Sequence, residues 1–340
     1  MNIPYRTRQN LKRAGIAALA VLVVLILVGL FWFMWLERFV VFTRDQGAVL
    51  DMSLSEEFPD AQAPVLPSYH TDVPIYYNEG ENAINASQEL TQLVGYYADT
   101  AALREDIDAV LEQVKNLPAN TPVMVDVKNP KGAFFYNSAV TTYRDKKIDP
   151  EKMEALIAYM DANNLYTIAR LPALRNYVYG VDHVVDGLDA PGGYLWADAD
   201  YCYWLDPTSQ GTMTHLIQIV SELKALGFDE IVFDEFRFPD TNNIVFKGDR
   251  KEAIAKAAAT LVSTCATNNF AISFVGTDVT FPLPEGRSRL YLKDAAAAQV
   301  ETIAAESGLA DPAVRLVFLT EVHDTRFEVC GVMRPLEAAH

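Results

Sequence analysis

Ionisable side chains stand inside two apolar runs, PVMVDVK at 122–128 and EIVFDEFR at 230–237. A charge among valines and phenylalanines is costly to bury, so such residues are either paired or belong to a site. If each run is a β-strand, successive side chains point to opposite faces. Val123, Val125 and Val127 then share one face, and Asp126 and Lys128 share the other at the C-terminal end. In the second run Ile231 and Phe233 take the valines' face and leave Asp234 on the other, with Arg237 just past the strand end. A third run, YTIARL at 166–171, adds Arg170 by the same alternation. Glu235, next to Asp234, is expected to point away from it, and Asp206, followed by Pro207, reads as a helix N-cap. A carboxylate so placed can serve as a nucleophile or general base, and a second carboxyl nearby as its acid partner. Asp234 is the leading candidate for nucleophile or base; Asp126, Asp278 and Glu321 are the candidates for its partner, the last two because each follows a predicted strand. The competing reading is that Asp126, Lys128, Arg170 and Asp234 simply neutralise one another.

The elements that would position these residues follow from hydrophobic periodicity. Apolar runs at 93–98, 122–127, 166–171, 230–236, 271–275 and 314–320 read as strands, with two further candidates at 289–292 and 327–333. Between them lie helical patterns: Leu103, Ile107, Val110, Leu111 and Val114; Met153, Leu156, Ile157 and Met160 behind an Asp149-Pro150 start; Met213, Leu216, Ile217, Val220 and Leu223. Further helices are expected at about 251–267 and 294–306. Alternating β and α elements in this number predict a (β/α)8 TIM-type barrel, shortened or irregular in its C-terminal third. A doubly wound open sheet is the alternative, but the first β-α turn has no glycine-rich phosphate fingerprint. In a barrel, Asp126, Lys128, Arg170 and Asp234 converge at the C-terminal mouth, where such folds build their sites. The long loop after the third strand carries Trp196, Tyr203 and Trp204, whose ring faces suit stacking on sugars, although packing of the loop itself would also use several such rings. With Lys128, Arg170 and Arg237 they form the predicted substrate-binding set.

Residues 15–36 contain no charged side chain and are long enough to cross a bilayer as one helix. Arg6, Arg8, Lys12 and Arg13 precede them, so the tail at 1–14 is expected to stay cytoplasmic and the rest to be exported. A cleaved signal peptide is the rival, but its apolar core is shorter and ends in small residues, whereas Trp32, Trp35 and Glu37 stand here. The stretch 37–90 turns acidic and proline-bearing and reads as a stalk before a barrel domain at 91–340. A formal net charge of −17 argues against nucleic acid as a partner of the globular part. Cys202, Cys265 and Cys330 are widely spaced and odd in number, and the five histidines form no ligand pattern; no metal and no cofactor is expected. Asn85-Ala86-Ser87 matches a glycosylation sequon, a short pattern that arises often by chance.

Four segments, VMVDVKNPKGAFFYNS at 123–138, YTIARL at 166–171, Trp204 to Pro207, and GFDEIVFDEFRFPD at 227–240, together resemble the bacterial "putative glycosyl hydrolase domain" family, whose members are expected to form an α-amylase-like (β/α)8 barrel. Asp126, Lys128 and Gly132 fill its V-x-D-V-K-x-x-x-G pattern, and Gly227, Asp229, Glu230, Asp234, Arg237 and Pro239 fill its G-F-D-E-I-x-F-D-Y-I-R-F-P pattern. Glu235 stands where that pattern has tyrosine, and the family's late P-M-x-Y-P-S-type segment has no counterpart. The resemblance implies a carbohydrate-active protein that hydrolyses a polysaccharide or oligosaccharide, and the apolar span at 15–36 adds the expectation that it is held at the cell membrane by one helix. The alternative is an inactive barrel that binds glycan or scaffolds an envelope assembly.

Overall fold

The structure, a computed structural model, describes residues 90–336, the strands at 40–43 and 47–50, and Leu25, Val28 and Trp32. The chain divides into two units, Met1–Gly80 and Glu81–His340. In the first, Val40–Thr43 and Gly47–Leu50 pair as an antiparallel hairpin. The predicted cytoplasmic tail, the membrane span at 15–36 and the rest of the stalk lie outside the described residues, apart from the three helical positions just named. Among the described residues no helix is long and apolar enough to cross a membrane.

The second unit is built on eight parallel strands closed into a barrel: β1 (Val94–Ala98), β2 (Pro122–Asp126), β3 (Tyr166–Pro172), β4 (Glu230–Asp234), β5 (Ala271–Gly276), β6 (Leu290–Lys293), β7 (Leu316–Leu319) and β8 (Gly331–Pro335). Neighbours in sequence are neighbours in the ring, and β8 pairs with β1 through Val332 opposite Val94. The provisional strand at 289–292 is therefore a member, and that at 327–333 is one in its second half only, since Thr325–Val329 forms a 3-10 turn and the strand runs from Gly331 to Pro335. Four long helices cover the outside: α1 (Thr100–Lys115), α2 (Pro150–Ala162), α4 (Gln210–Ala225) and α5 (Arg250–Cys265), with the short α3 (Tyr177–Asp182) in the loop after β3. The helical layer thins after β5: residues 277–289 carry no helix, and β6 is followed by the seven-residue α6 (Val300–Glu306) and the single turn α7 (Pro312–Arg315). The expected irregularity of the C-terminal third thus lies in its helices and not in its strands.

Alternation sorts the strand residues as expected. Val123, Val125 and Val127 pack in the outer core with Ile107, Val110, Leu156 and Met160 from the helices. Met124, Ile168, Val232, Val275, Tyr291, Val317 and Met333 fill the barrel interior. Asp149 caps α2 by accepting from the Glu151 amide at 3.0 Å, with Pro150 at the first helical position. Asp206 does not cap α4. Its carboxylate accepts from the Thr208 amide and hydroxyl at 2.7 and 2.6 Å, closing a turn before the helix, and Ser209 is the cap. Both residues suit that place, and the three-residue turn decides between them.

Below the apolar interior lies a polar floor. Glu230, the first residue of β4, is fully buried; its carboxylate accepts from the Tyr166 hydroxyl at 2.9 Å, Ser273 at 2.5 Å, Tyr291 at 3.0 Å and the Arg289 guanidinium. Arg289 also donates to the carbonyls of Thr91 at 3.0 Å and Val314 at 3.1 Å. Burial, and then the Glu230 charge, push the Tyr166 and Tyr291 phenols above their ordinary range, so both remain donors. Removing one member strands the other charge in the interior. Glu230→Gln and Arg289→Met should each lower stability by about 3–5 kcal/mol in denaturant unfolding, while the double apolar replacement Glu230→Met with Arg289→Met should recover most of the loss.

Candidate active site

The C-terminal ends of the strands bring together part of the predicted set. Asp126, the last residue of β2, accepts a fork from Arg170, Nε at 2.6 Å to Oδ1 and Nη2 at 3.1 Å to Oδ2. Oδ2 also accepts from the amide and hydroxyl of Thr100, both at 2.7 Å, at the start of α1. With four donors on two oxygens, Asp126 has little capacity left for a substrate proton. It behaves as the counter-ion of Arg170, whose guanidinium lies over the Tyr97 ring at 6.0 Å.

Asp234, the last residue of β4, accepts from the Glu235 amide at 2.8 Å and from Lys293 Nζ at 2.5 Å. Lys293 ends β6, and its salt bridge reaches across the mouth past β5. Sequence reading missed Lys293, although alternation through the inward Tyr291 carries the signal. Neither Arg170 nor Arg237 pairs with Asp234. Arg237 instead pairs with Glu235 at 2.9 Å and lies over the Trp204 ring at 5.2 Å.

Glu235 corrects a second expectation. Its backbone is left-handed, φ +50°, so alternation stops at Asp234 and the side chain turns back to line the same recess. Asp294, after Lys293, does the same with φ +57°. Two adjoining cavities result. One of about 270 Å³ is lined by Asp234, Glu235, Arg237, Lys293 and Asp294; the other, about 520 Å³, by Tyr97, Arg170, Glu321 and again Lys293 and Asp294. Glu321 is exposed there, and its side chain has no hydrogen bond or ion pair among the described residues. Burial, and then the Glu321 charge, push the Tyr97 phenol up.

Other predicted residues stand elsewhere. Asp278 is exposed, accepts from the Thr280 amide at 2.7 Å and lines neither cavity, because the chain turns away as soon as β5 ends. Trp204 is buried, its indole donating to Asp198 at 3.0 Å; Tyr203 stacks on Tyr177; Trp196 packs against the outer core. These three rings hold the loop after β3 together, and none lines either mouth cavity. Lys128 also fails to reach the mouth. β2 ends two residues earlier, and Lys128, 1% exposed, is covered by the next loop with Nζ donating to the Pro172 carbonyl at 2.7 Å.

Burial lowers Lys128 from the ordinary 10.5 to about 7. The unfolded chain keeps that proton up to about 10.5, whereas the native chain releases it near 7, so this group makes stability rise with pH across that window. The slope is about 1.4 kcal/mol per pH unit at most. Unfolding curves at pH 7 to 10 should therefore show the stability gap between Lys128→Met and the parent chain narrowing or reversing by that increment. A constant gap would mean that Lys128 stays charged in the native state.

No curated protein matches the chain. Among solved structures, a hypothetical protein from Ruminiclostridium thermocellum ATCC 27405 is 23% identical, with 53% of this chain and 96% of that one covered at a TM-score of 0.45. The GH20 exo-β-N-acetylglucosaminidase of Vibrio harveyi is 10% identical, with 67% and 41% covered at 0.47. The α-galactosidase of Lactobacillus brevis is 11% identical, with 72% and 38% covered at 0.48. The chain thus spans about two-fifths of the length of these two glycosidases. The family described as "Putative glycosyl hydrolase domain" matches residues 95–279, from β1 to just past β5. That match covers more than half of the chain and contains Asp126, Arg170 and Asp234, and the chain belongs to this family.

Proposed function

We propose that the protein is a membrane-anchored, extracytoplasmic glycoside hydrolase acting on a cell-surface or environmental glycan. The observation that carries the reading is Asp234, inward at the end of β4, open to a recess and held by a lysine and a backbone amide. The Lys293 ammonium on one oxygen and the Glu235 amide on the other fix the carboxylate in the position a nucleophile or base needs. Glu321 is the proton donor: it faces the adjoining cavity, and its carboxyl is not engaged by a neighbouring side chain among the described residues. Glu235 is the poorer candidate because its carboxylate is engaged by Arg237. Arg170, fixed by Asp126, and Lys293 supply donors for sugar hydroxyls.

The rival reading is a barrel that binds glycan without cleaving it. It draws on the pairing of Asp126 with Arg170 and of Asp234 with Lys293, which also satisfies a purely structural demand. The two diverge under mutation. In a hydrolase, Asp234→Asn and Glu321→Gln should each lower reducing-end release about 10²- to 10⁴-fold while the melting temperature holds. In a binding protein, the parent chain retains glycan and releases no sugar.

Anchoring rests on the uncharged apolar stretch at 15–36 behind a basic tail. The full-length chain should fractionate with membranes and resist alkaline extraction, and external protease should reach the barrel in intact cells. Recovery of a chain with a new N-terminus near residue 37 would replace the anchor with a cleaved signal.

A further inference from the structure

A third cavity, about 530 Å³, shares no lining residue with the two at the mouth. It lies outside the strand ring, between the loop after β2, the region of α3 and the first turns of α4. Two glycines let its walls close up. A Cβ on Gly132 would stand 2.3 Å from Asn176 Oδ1, and one on Gly211 would stand 2.1 Å from Asp186 Oδ2. Asn176 accepts from the Tyr179 amide at 3.1 Å, and Asp186 accepts from the Tyr179 hydroxyl at 2.9 Å and from Ser209. The Tyr179 ring is clamped between two imidazoles, 4.1 Å from His183 and 4.0 Å from His215. His215 is buried and held down to about 3 by that burial, so this flat stack is uncharged on its inner side at working pH.

The facing wall is a row on one side of α4. Gln210, Thr214 and Gln218 recur every four residues, spanning about 12 Å, and all three are exposed. Their side chains have no hydrogen-bond partner among the described residues. No lysine or arginine lines the cavity among the described residues, so a sulfate, phosphate or carboxylate would find no cation to pair with. Amides and hydroxyls both donate and accept, as sugar hydroxyls do, and an apolar ligand would leave the row unmatched.

We infer that this cavity is a second glycan site, which holds a neutral oligosaccharide stretch along α4 apart from the barrel mouth. The inference rests on the carbohydrate-active reading but not on turnover at Asp234. A second contact on one polymer raises its effective concentration at the first, so long chains gain more than short ones.

The test uses the purified full-length chain with three neutral hexasaccharides, maltohexaose, cellohexaose and chitohexaose, and a sulfated hexasaccharide as control, read by calorimetry alongside thermal melts. At least one neutral hexasaccharide should bind, and Gln218→Arg and Thr214→Trp should each weaken it tenfold or more without shifting the melt by more than a few degrees. If Thr214→Trp fails to fold, the exposed Gln218→Arg decides alone. Undiminished binding by folded variants, binding of the sulfated hexasaccharide only, or no binding by the parent chain would each overturn the second site. Asp234→Asn separates the two proposals. Turnover surviving that change while Gln218→Arg loses binding removes the hydrolase assignment and leaves the cavity standing; the converse pair of results does the reverse.

Discussion

The pairing of Glu230 with Arg289 at the barrel floor is the constraint on which the rest depends. One carboxylate takes donors from β3, β5 and β6 and from the guanidinium, and that guanidinium reaches carbonyls just before β1 and β7. A buried charge is tolerated only when every partner is present. The floor is therefore complete only when the early and late strands of the ring have both arrived, and a partial barrel would carry an uncompensated ion. Since side chains alternate along each strand, a one-residue slip of β4 would also swing Glu230 into the helix layer. Closure and register are checked by the same group.

The mouth uses the same inward positions for a different end. From bottom to top, β4 presents Glu230, Val232 and Asp234, and β3 presents Tyr166, Ile168 and Arg170. At the floor both oxygens of the fully buried Glu230 are filled by four donors. At the top Lys293 and Glu321 are exposed, and the recesses remain open. A rigid, saturated base and an apolar middle layer thus hold a polar rim whose groups keep capacity for a ligand. Asp126 is the exception, spent on fixing Arg170.

Legibility in the sequence followed the range of period-two alternation. All eight strands, the facing of the valines, and the convergence of Asp126, Arg170 and Asp234 could be read, because buried strands impose that period on every residue. The misreadings lie one or two residues beyond a strand end. Lys128 and Glu235 were assigned faces by a rule that had ceased to apply, since at 235 the backbone is left-handed and past 126 the chain folds back on itself. The loop aromatics were misjudged for another reason. A composition rich in tryptophan and tyrosine does not separate rings that face a ligand from rings that hold a long loop together, and Trp204 and Tyr203 do the second. The helix row Gln210, Thr214 and Gln218 is ordinary surface by sequence and gains meaning only from the wall that folds against it.

Glu235 and Asp294 occupy backbone that glycine adopts freely and other residues adopt at a penalty of about 1–2 kcal/mol. Both are acids, both follow the residue that ends an inward-facing strand, and both border the recess beside Asp234. Stability alone would favour glycine at each place. Random substitution under selection for a tougher fold would accordingly erode these two positions first, removing the two acids that flank Asp234 while leaving the barrel sounder than before. The rim and the scaffold draw on opposing preferences of the same backbone, and a version of this protein improved only for heat resistance would arrive with a wider, less acidic recess beside Asp234.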